Sequence, residues 1–153
     1  KDRVELHDIV EDAMTHVQLL VEDRQGYIKT FFDAEQSTVL ANETHFTNVV
    51  VNILDNAIKY SPDAPKIEVY TENVGTNILL KIKDHGSGMS KAAAKKVFEK
   101  FYREHTGNIH NVKGHGLGLA YVKRIVEDHQ GHVSVESEKD KGSTFIIKLP
   151  LIS

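Results

Sequence analysis

Residues 43–60 read ETHFTNVVVNILDNAIKY, and this stretch carries two helical stripes at once. Phe46, Val50, Ile53, Ala57 and Tyr60 recur at the 3.6-residue period of a helix that buries one face in a core. Asn48, Asn52, Asp55, Asn56 and Lys59 form a second stripe, turned to another side. A solvated helix face is ordinarily built from Glu, Lys, Gln or Arg, because Asn is a poor helix former that competes with the backbone for hydrogen bonds. Tolerance at the surface is one account of these asparagines. The other is that Asn52 and Asn56, one turn apart, aim amide oxygens at a hard cation or a phosphate. Mg²⁺ keeps its waters and takes phosphate oxygens, so a single protein amide suffices. The Ser61-Pro62 pair stops the helix, since the residue before proline is pushed out of the helical region.

On the N-terminal side, Leu6, Ile9, Val10, Ala13, Val17, Leu20 and Val21 predict an amphipathic helix over 6–23. YIKTFFDA reads as a strand, and TVLAN as a short segment leading into the helix. On the C-terminal side, KIEVYTE and NILLKIKD alternate inward and outward around the turn NVGTN, a hairpin signature. A short helix follows near SKAAAKKVFEKF. Residues 103–116, REHTGNIHNVKGHG, carry almost no apolar side chains and predict a long mobile loop. Leu119, Val122, Ile125 and Val126 mark a helix ending at Gly131, and HVSVESE with STFIIKLP closes the chain as another hairpin. Helices and strands mix without strict alternation. The expected fold is therefore an α+β two-layer sandwich, with helices on one face of a mixed sheet.

Composition narrows the function. A chain of 153 residues fits one domain and can bury a real core without a metal or disulfide staple. With no Cys, thiolate zinc sites, disulfides and a cysteine nucleophile are excluded. A formal net charge of -3 with dispersed Lys and Arg speaks against nucleic acid as a partner, which needs a basic face. No apolar run is long enough to span a bilayer and no signal peptide is visible, so a soluble domain without direct membrane contact is expected. The opening KDRVEL lacks an initiator Met, which suggests a piece of something longer.

Two glycine-rich stretches add to the picture. DHGSG, Asp84 to Gly88, ends an apolar strand; alone it is an ordinary strand-to-helix turn, since Asp and Gly are common turn residues. GHGLGLAYV, residues 114–122, runs three alternate glycines straight into a helical pattern. Backbone amides at a helix start are unpaired and the helix dipole favours negative charge there, so bare backbone lets phosphate oxygens approach. A flexible hinge would use glycines in the same way. GHGLG is not the GxGxxG of dinucleotide folds, and no GxxxxGK[ST] occurs in the chain.

Taken together, NVVVNILDNAIKYS, DHGSG, FEKFYRE, GHGLGLAYVKRIVEDHQG and KGSTFIIKLP follow the order and spacing of the N, G1, F, G2 and G3 boxes of sensor histidine kinases. From Val4 to Leu149 the chain resembles their catalytic ATP-binding domain, of the Bergerat type shared with type II topoisomerases and certain chaperones. The resemblance implies a mixed five-stranded sheet with three main helices on one face and a mobile ATP lid, here residues 103–116. It implies a single domain over 1–153, ATP and Mg²⁺ as ligands, and a cytoplasmic place in a membrane-bound bacterial sensor. The partner implied is the dimerisation and phospho-acceptor domain of the same kinase, with a response regulator reached indirectly. The family dimerises through that hairpin, so this domain by itself would be a monomer.

Residue by residue, the resemblance implies that Asp84 accepts from the adenine amino group, with Gly86 and Gly88 shaping that wall. Asn56 would ligate Mg²⁺, and Asn52 would lie beside the metal and phosphates. Lys59 and Arg103 would reach phosphate, and Tyr60 would border the nucleotide. Gly114, Gly116 and Gly118 would embrace the triphosphate, Leu117 and Leu119 would seat the helix, and Thr144 would lie near the base. Phe98 and Phe101 would anchor the lid. His85 stands where family members often carry Asn or Thr. His105, His110 and His115 read as solvated lid histidines, and His129 with His132 as a pair capping the end of a helix.

The family's phospho-accepting histidine lies in an upstream stretch like HExRxP, and nothing here matches it. His7 lacks the following Arg and Pro and reads as structural. Hydrolytic relatives place a glutamate at the position of Asn52, and an amide takes no proton near neutral pH. Transfer to an imidazole needs positioning and charge neutralisation rather than a base, which favours a phosphotransferase over an ATPase. A nucleotide-binding module without transferase activity, or a Bergerat-fold serine kinase or ATPase, are the alternatives.

Overall fold

The computed structural model describes residues 1–99 and 118–152. Seven strands and four helices occur among them: β1 (Asp2–Glu5), α1 (Leu6–Asp23), β2 (Tyr27–Phe32), β3 (Thr38–Ala41), α2 (Glu43–Lys59), β4 (Lys66–Val74), β5 (Asn77–Asp84), α3 (Lys91–Lys96), α4 (Gly118–Asp128), β6 (His132–Glu138) and β7 (Gly142–Pro150). The loop expected at 103–116 lies outside the described residues.

Five strands form one mixed sheet in the order β2-β4-β5-β7-β6. β2 runs parallel to β4, and every other neighbouring pair is antiparallel. Alternation decides which side is covered. On β5, Ile78, Leu80, Ile82 and Asp84 are buried, as are Ser143, Phe145, Ile147 and Leu149 on β7 and Ile67, Val69 and Thr71 on β4. Against this face lie α1, α2 and α4, whose buried stripes join the strands in one core. α2 sits between the other two helices. The two-layer sandwich expected from the sequence is therefore the observed architecture. Among the described residues no helix is long and apolar enough to cross a membrane.

α2 forms where its pattern predicts and is capped at both ends. Asn42, at its N-cap, accepts a hydrogen bond from the His45 amide at 2.9 Å. Phe46, Val50, Ile53 and Ala57 are buried as expected, whereas Tyr60 is the half-buried C-cap rather than a core residue. Past it, the Ser61 hydroxyl donates to the Ala57 carbonyl at 2.7 Å. Arg24, just beyond α1, donates to the carbonyls of Ile58, Ser61 and Asp63 at 3.1, 2.5 and 3.0 Å. One guanidinium thus satisfies three carbonyls at the end of α2, where the helix dipole favours a cation.

Three local readings are corrected. Leu20 belongs to the apolar series of α1 but is 48% exposed, because Val17 and Val21 already fill the inward positions and Leu20 is rotated off them. A second, two-stranded sheet of β1 and β3 is present that the sequence pattern did not announce. Asp2, Arg3 and Glu5 are exposed and leave no alternation to detect. His132 does not cap α4; it stands in β6 opposite Lys148. His7 is structural as expected, with Nε2 2.8 Å from the Thr71 hydroxyl and its ring stacked 4.3 Å from Phe32.

Replacing Arg24 with Met keeps most of the stem and removes the clamp on α2. A loss of about 1.5–3 kcal/mol in unfolding free energy is expected. Urea denaturation followed by circular dichroism measures it, and an unchanged midpoint would show that water replaces the guanidinium.

Candidate functional site

The site gathers where the end of β5 meets the end of α2. Asp84 is the last residue of β5 and points inward, with only 7% of its surface exposed. A carboxylate there needs donors, and the turn provides them: the Gly86 amide reaches Oδ1 at 2.9 Å and the Ser143 amide reaches the same oxygen at 3.2 Å. Among the described residues no donor meets Oδ2. Burial pushes the Asp84 carboxyl above the usual carboxylate range, with the two amides and nearby His85 pulling the other way.

The following turn is pressed against α2. The Ser87 amide and hydroxyl both donate to the Tyr60 carbonyl, at 3.0 and 3.1 Å. A Cβ on Gly86 would lie 2.6 Å from that same oxygen, so the contact tolerates no side chain at Gly86. The turn is also latched to the β6–β7 hairpin: Asp140 donates from its amide to the Ser87 carbonyl at 2.6 Å, and Met89 from its amide to the Ser137 hydroxyl at 2.8 Å. Gly88 adopts φ +66°, and a Cβ on it would fall 2.0 Å from the Glu138 carbonyl oxygen. Asp84 is thus fixed from three directions by main-chain contacts.

The polar stripe of α2 borders the same region. Asn52 donates its amide nitrogen to the Asn48 carbonyl at 2.8 Å, which turns its Oδ1 toward Gly118; a Cβ on Gly118 would lie 3.1 Å from that oxygen. Asn56 is half-buried one turn further on, and Lys59 forms an ion pair with Asp55 at 2.9 Å. Leu119 packs against the core and holds the start of α4. Phe98 meets Phe145 edge to face at 6.0 Å. The sequence-derived residues brought together are therefore Asn52, Asn56, Lys59, Tyr60, Asp84, Gly86, Gly88, Gly118 and Leu119. Arg103, Gly114, Gly116, Leu117 and Phe101 lie outside the described residues, as do His105, His110 and His115.

Thr144 is not among them. β7 alternates, so Ser143 and Phe145 face the helices while Thr144 lies on the opposite face, in a surface hollow with Tyr70, Glu72, Lys81 and Lys83. Ser143 takes the place assigned to Thr144: its amide holds Asp84 and its hydroxyl meets Ser137 Oγ at 2.7 Å. The two-residue period of the strand could have identified it, since Ser143 is in phase with the apolar Phe145, Ile147 and Leu149. His85 points away from the site and meets Glu68 Oε1 at 3.0 Å.

Comparison with known proteins places this geometry in context. Residues 41–153 match the family model described as histidine kinase-, DNA gyrase B-, and HSP90-like ATPase. The sensor protein RprX of Bacteroides fragilis is 43% identical over 151 residues, covering 97% of this chain and 29% of that protein. The sensor-like histidine kinase SenX3 of Mycolicibacterium smegmatis is 32% identical over 150 residues, covering 97% and 38%. The chain thus spans about a third of the length of these relatives. Among solved structures, the mycobacterial sensor histidine kinase MprB superposes with a TM-score of 0.81 at 26% identity, over 97% of this chain and 96% of that one.

The raised Asp84 carboxyl makes a statement about stability. Its folded-state value lies above the unfolded one, so the native state holds the proton more tightly, and stability falls as pH rises from the ordinary carboxyl range through the raised folded value. At neutral pH the ionised group is a net burden. Asp84→Asn keeps an oxygen for the two amides and removes the charge, so its thermal midpoint at pH 7 is expected to equal or exceed that of the parent. A clearly lower midpoint would mean that the charge itself is needed for folding.

Proposed function

The chain belongs to the family of histidine kinase-, DNA gyrase B-, and HSP90-like ATPases, and on that premise we propose that it is the catalytic ATP-binding domain, over 1–153, of a two-component sensor kinase. In this reading it binds Mg-ATP and presents the γ-phosphoryl group to a histidine on a separate dimerisation and phospho-acceptor domain. A response regulator is reached indirectly, and the domain acts on the cytoplasmic side of a membrane-bound bacterial sensor.

Asp84 carries the reading. A buried carboxylate with one oxygen saturated by main-chain amides and the other without a donor among the described residues is built to accept from a ligand. An adenine amino group supplies such a donor; guanine offers an acceptor at the same place. The turn beside it carries Gly86 and Gly88, whose bare backbone packs against the Tyr60 and Glu138 carbonyls and so fixes the position of the carboxylate. For the metal, the donor set fits a hard cation held lightly. Among the described residues no three of His, Cys, Asp and Glu converge, so Asn56 would hold Mg²⁺ by an amide oxygen while phosphate oxygens and water complete the shell. When bound, the ion supplies neutralisation of phosphate charge.

The chain's own residues then do the following. Asn52 cannot take a proton from water, so hydrolysis gains no base from this position. Its Oδ1 instead faces the start of α4, which the bare backbone at Gly118 lets come close; unpaired amides at a helix start favour phosphate. Lys59 carries its charge on the same stripe, and Tyr60 borders the base from the end of α2. An imidazole acceptor is already a competent nucleophile, so positioning and charge neutralisation suffice.

Calorimetric titration tests the binding half. Mg-ATP is expected to bind at least about 30-fold more tightly than Mg-GTP, the equivalent of roughly 2 kcal/mol for an acceptor facing an acceptor. Asp84→Asn should weaken ATP and narrow that ratio, and equal affinities in the parent chain would refute the role of Asp84. Asn56→Ala should abolish the gain in affinity that Mg²⁺ confers on ATP. Mixing the chain with a separately made acceptor hairpin and labelled ATP tests transfer: phosphohistidine supports the kinase, whereas binding without transfer, free phosphate or phosphoserine would each replace it.

A further inference from the structure

At the far end of α4 lies a buried histidine that the functional reading does not use. His129 follows the last residue of α4 and is 4% exposed. Its Nδ1 is 2.7 Å from the Ile125 carbonyl, which can only accept, so Nδ1 carries the proton. Nε2 is then bare, and it accepts the backbone amide of Asn42 at 3.0 Å. Asn42 is the N-cap of α2, and the ring meets Phe46 of α2 edge to face at 5.2 Å. The neutral ring is thus a two-ended connector between the C-terminus of α4 and the N-terminus of α2.

The same two helices meet again at the site, where Gly118 approaches Asn52. From Asn42 to Asn52 and from His129 to Gly118 the helices run about 15 Å and about 16 Å at 1.5 Å per residue. They lie antiparallel with matched arms, fastened at one end by His129 and meeting the nucleotide side at the other. Between these ends the Tyr121 hydroxyl reaches the His45 carbonyl at 3.4 Å, too long to hold a register. An α-helix is stiff along its axis. A displacement of α4 at His129 therefore carries to Gly118, resisted by the packing of Val122, Ile125 and Val126 in the core.

We propose that His129 is a positioning residue for the nucleotide site: by pinning the end of α4 to the N-cap of α2 it sets how closely Gly118 approaches Asn52. The proposal rests on the reading of that site as a nucleotide site. Burial holds the imidazole below its ordinary range, partly offset by its bond to Ile125; the charged or titratable groups around it are Lys1, Asp128 and His45. A proton on Nε2 would oppose the Asn42 amide donor to donor, so the connector exists only in the neutral form.

The test uses the 153-residue chain at pH 8, where the imidazole is neutral, well below its thermal midpoint. His129→Leu fills the volume but has no polar atoms; His129→Gln restores one donor and one acceptor. Affinity for Mg-ATP is expected to fall at least about tenfold in the Leu variant, as for a misplaced contact, and to return to within about threefold in the Gln variant. In parallel, the Gly118 amide and Asn52 side-chain resonances should shift in the Leu variant and revert in the Gln variant. A folded Leu variant with parental affinity and parental Gly118 and Asn52 resonances overturns the proposal, because a residue serving stability alone lowers the midpoint without touching either. If the parent chain binds no ATP, the nucleotide reading fails, and the positioning is decided by the resonances alone.

Discussion

The main chain of three elements converges on a single buried carboxyl group. Asp84 sits at the inner end of a central strand, where an ionised group loses its water and gains stability only from aimed donors. The chain answers with main chain: the Gly86 and Ser143 amides converge on one oxygen. That convergence requires the turn after β5 to double back, the start of β7 to lie alongside, and the β6–β7 hairpin to close over the turn. Gly142, at φ +119°, brings its backbone so near that a Cβ would lie 2.1 Å from the Asp84 carbonyl oxygen. The backbone of three elements thus converges on one carboxyl group.

α2 joins that charge to the rest of the molecule. Its apolar stripe is the middle of the core, and its polar stripe faces the site, so the helix cannot turn without spoiling both. Its ends are held by other elements: Asn42 meets His129 at one, and Arg24 and Ser87 hold carbonyls at the other. The asparagines, weak as helix formers, are thereby kept helical by tertiary contacts rather than by propensity.

Much of this was legible in the chain. Periodicity located α1, α2, α4 and both hairpins, because each buries one face and polar positions interrupt the apolar ones at a fixed step. What escaped was set by pairing rather than by burial. β1 has no apolar rhythm, and only its register against β3 defines it. Leu20 was misplaced since two valines compete for the same inward positions. At the site, residue types and spacing pointed to Asn52, Asn56 and the glycines before α4, and the resemblance to sensor histidine kinases pointed to Asp84. The error at Thr144 arose from reading a motif without its strand phase, which Ser143 satisfies and Thr144 does not. The bond of His129 to the Asn42 amide could not be foreseen, since it joins positions 87 residues apart in the chain.

The latch between the β5 turn and the β6–β7 hairpin is made largely of backbone atoms, and this separates two kinds of heritable change. Glu138, Lys139, Asp140 and Lys141 form a charged rim on the outside of that hairpin, with the Asp140 amide and the Glu138 carbonyl rather than side chains engaged below. Mutation can recolour the rim's electrostatic surface without moving the carboxylate beneath it. A lineage can therefore drift in the charge it displays along this edge while the buried carboxyl stays frozen in place.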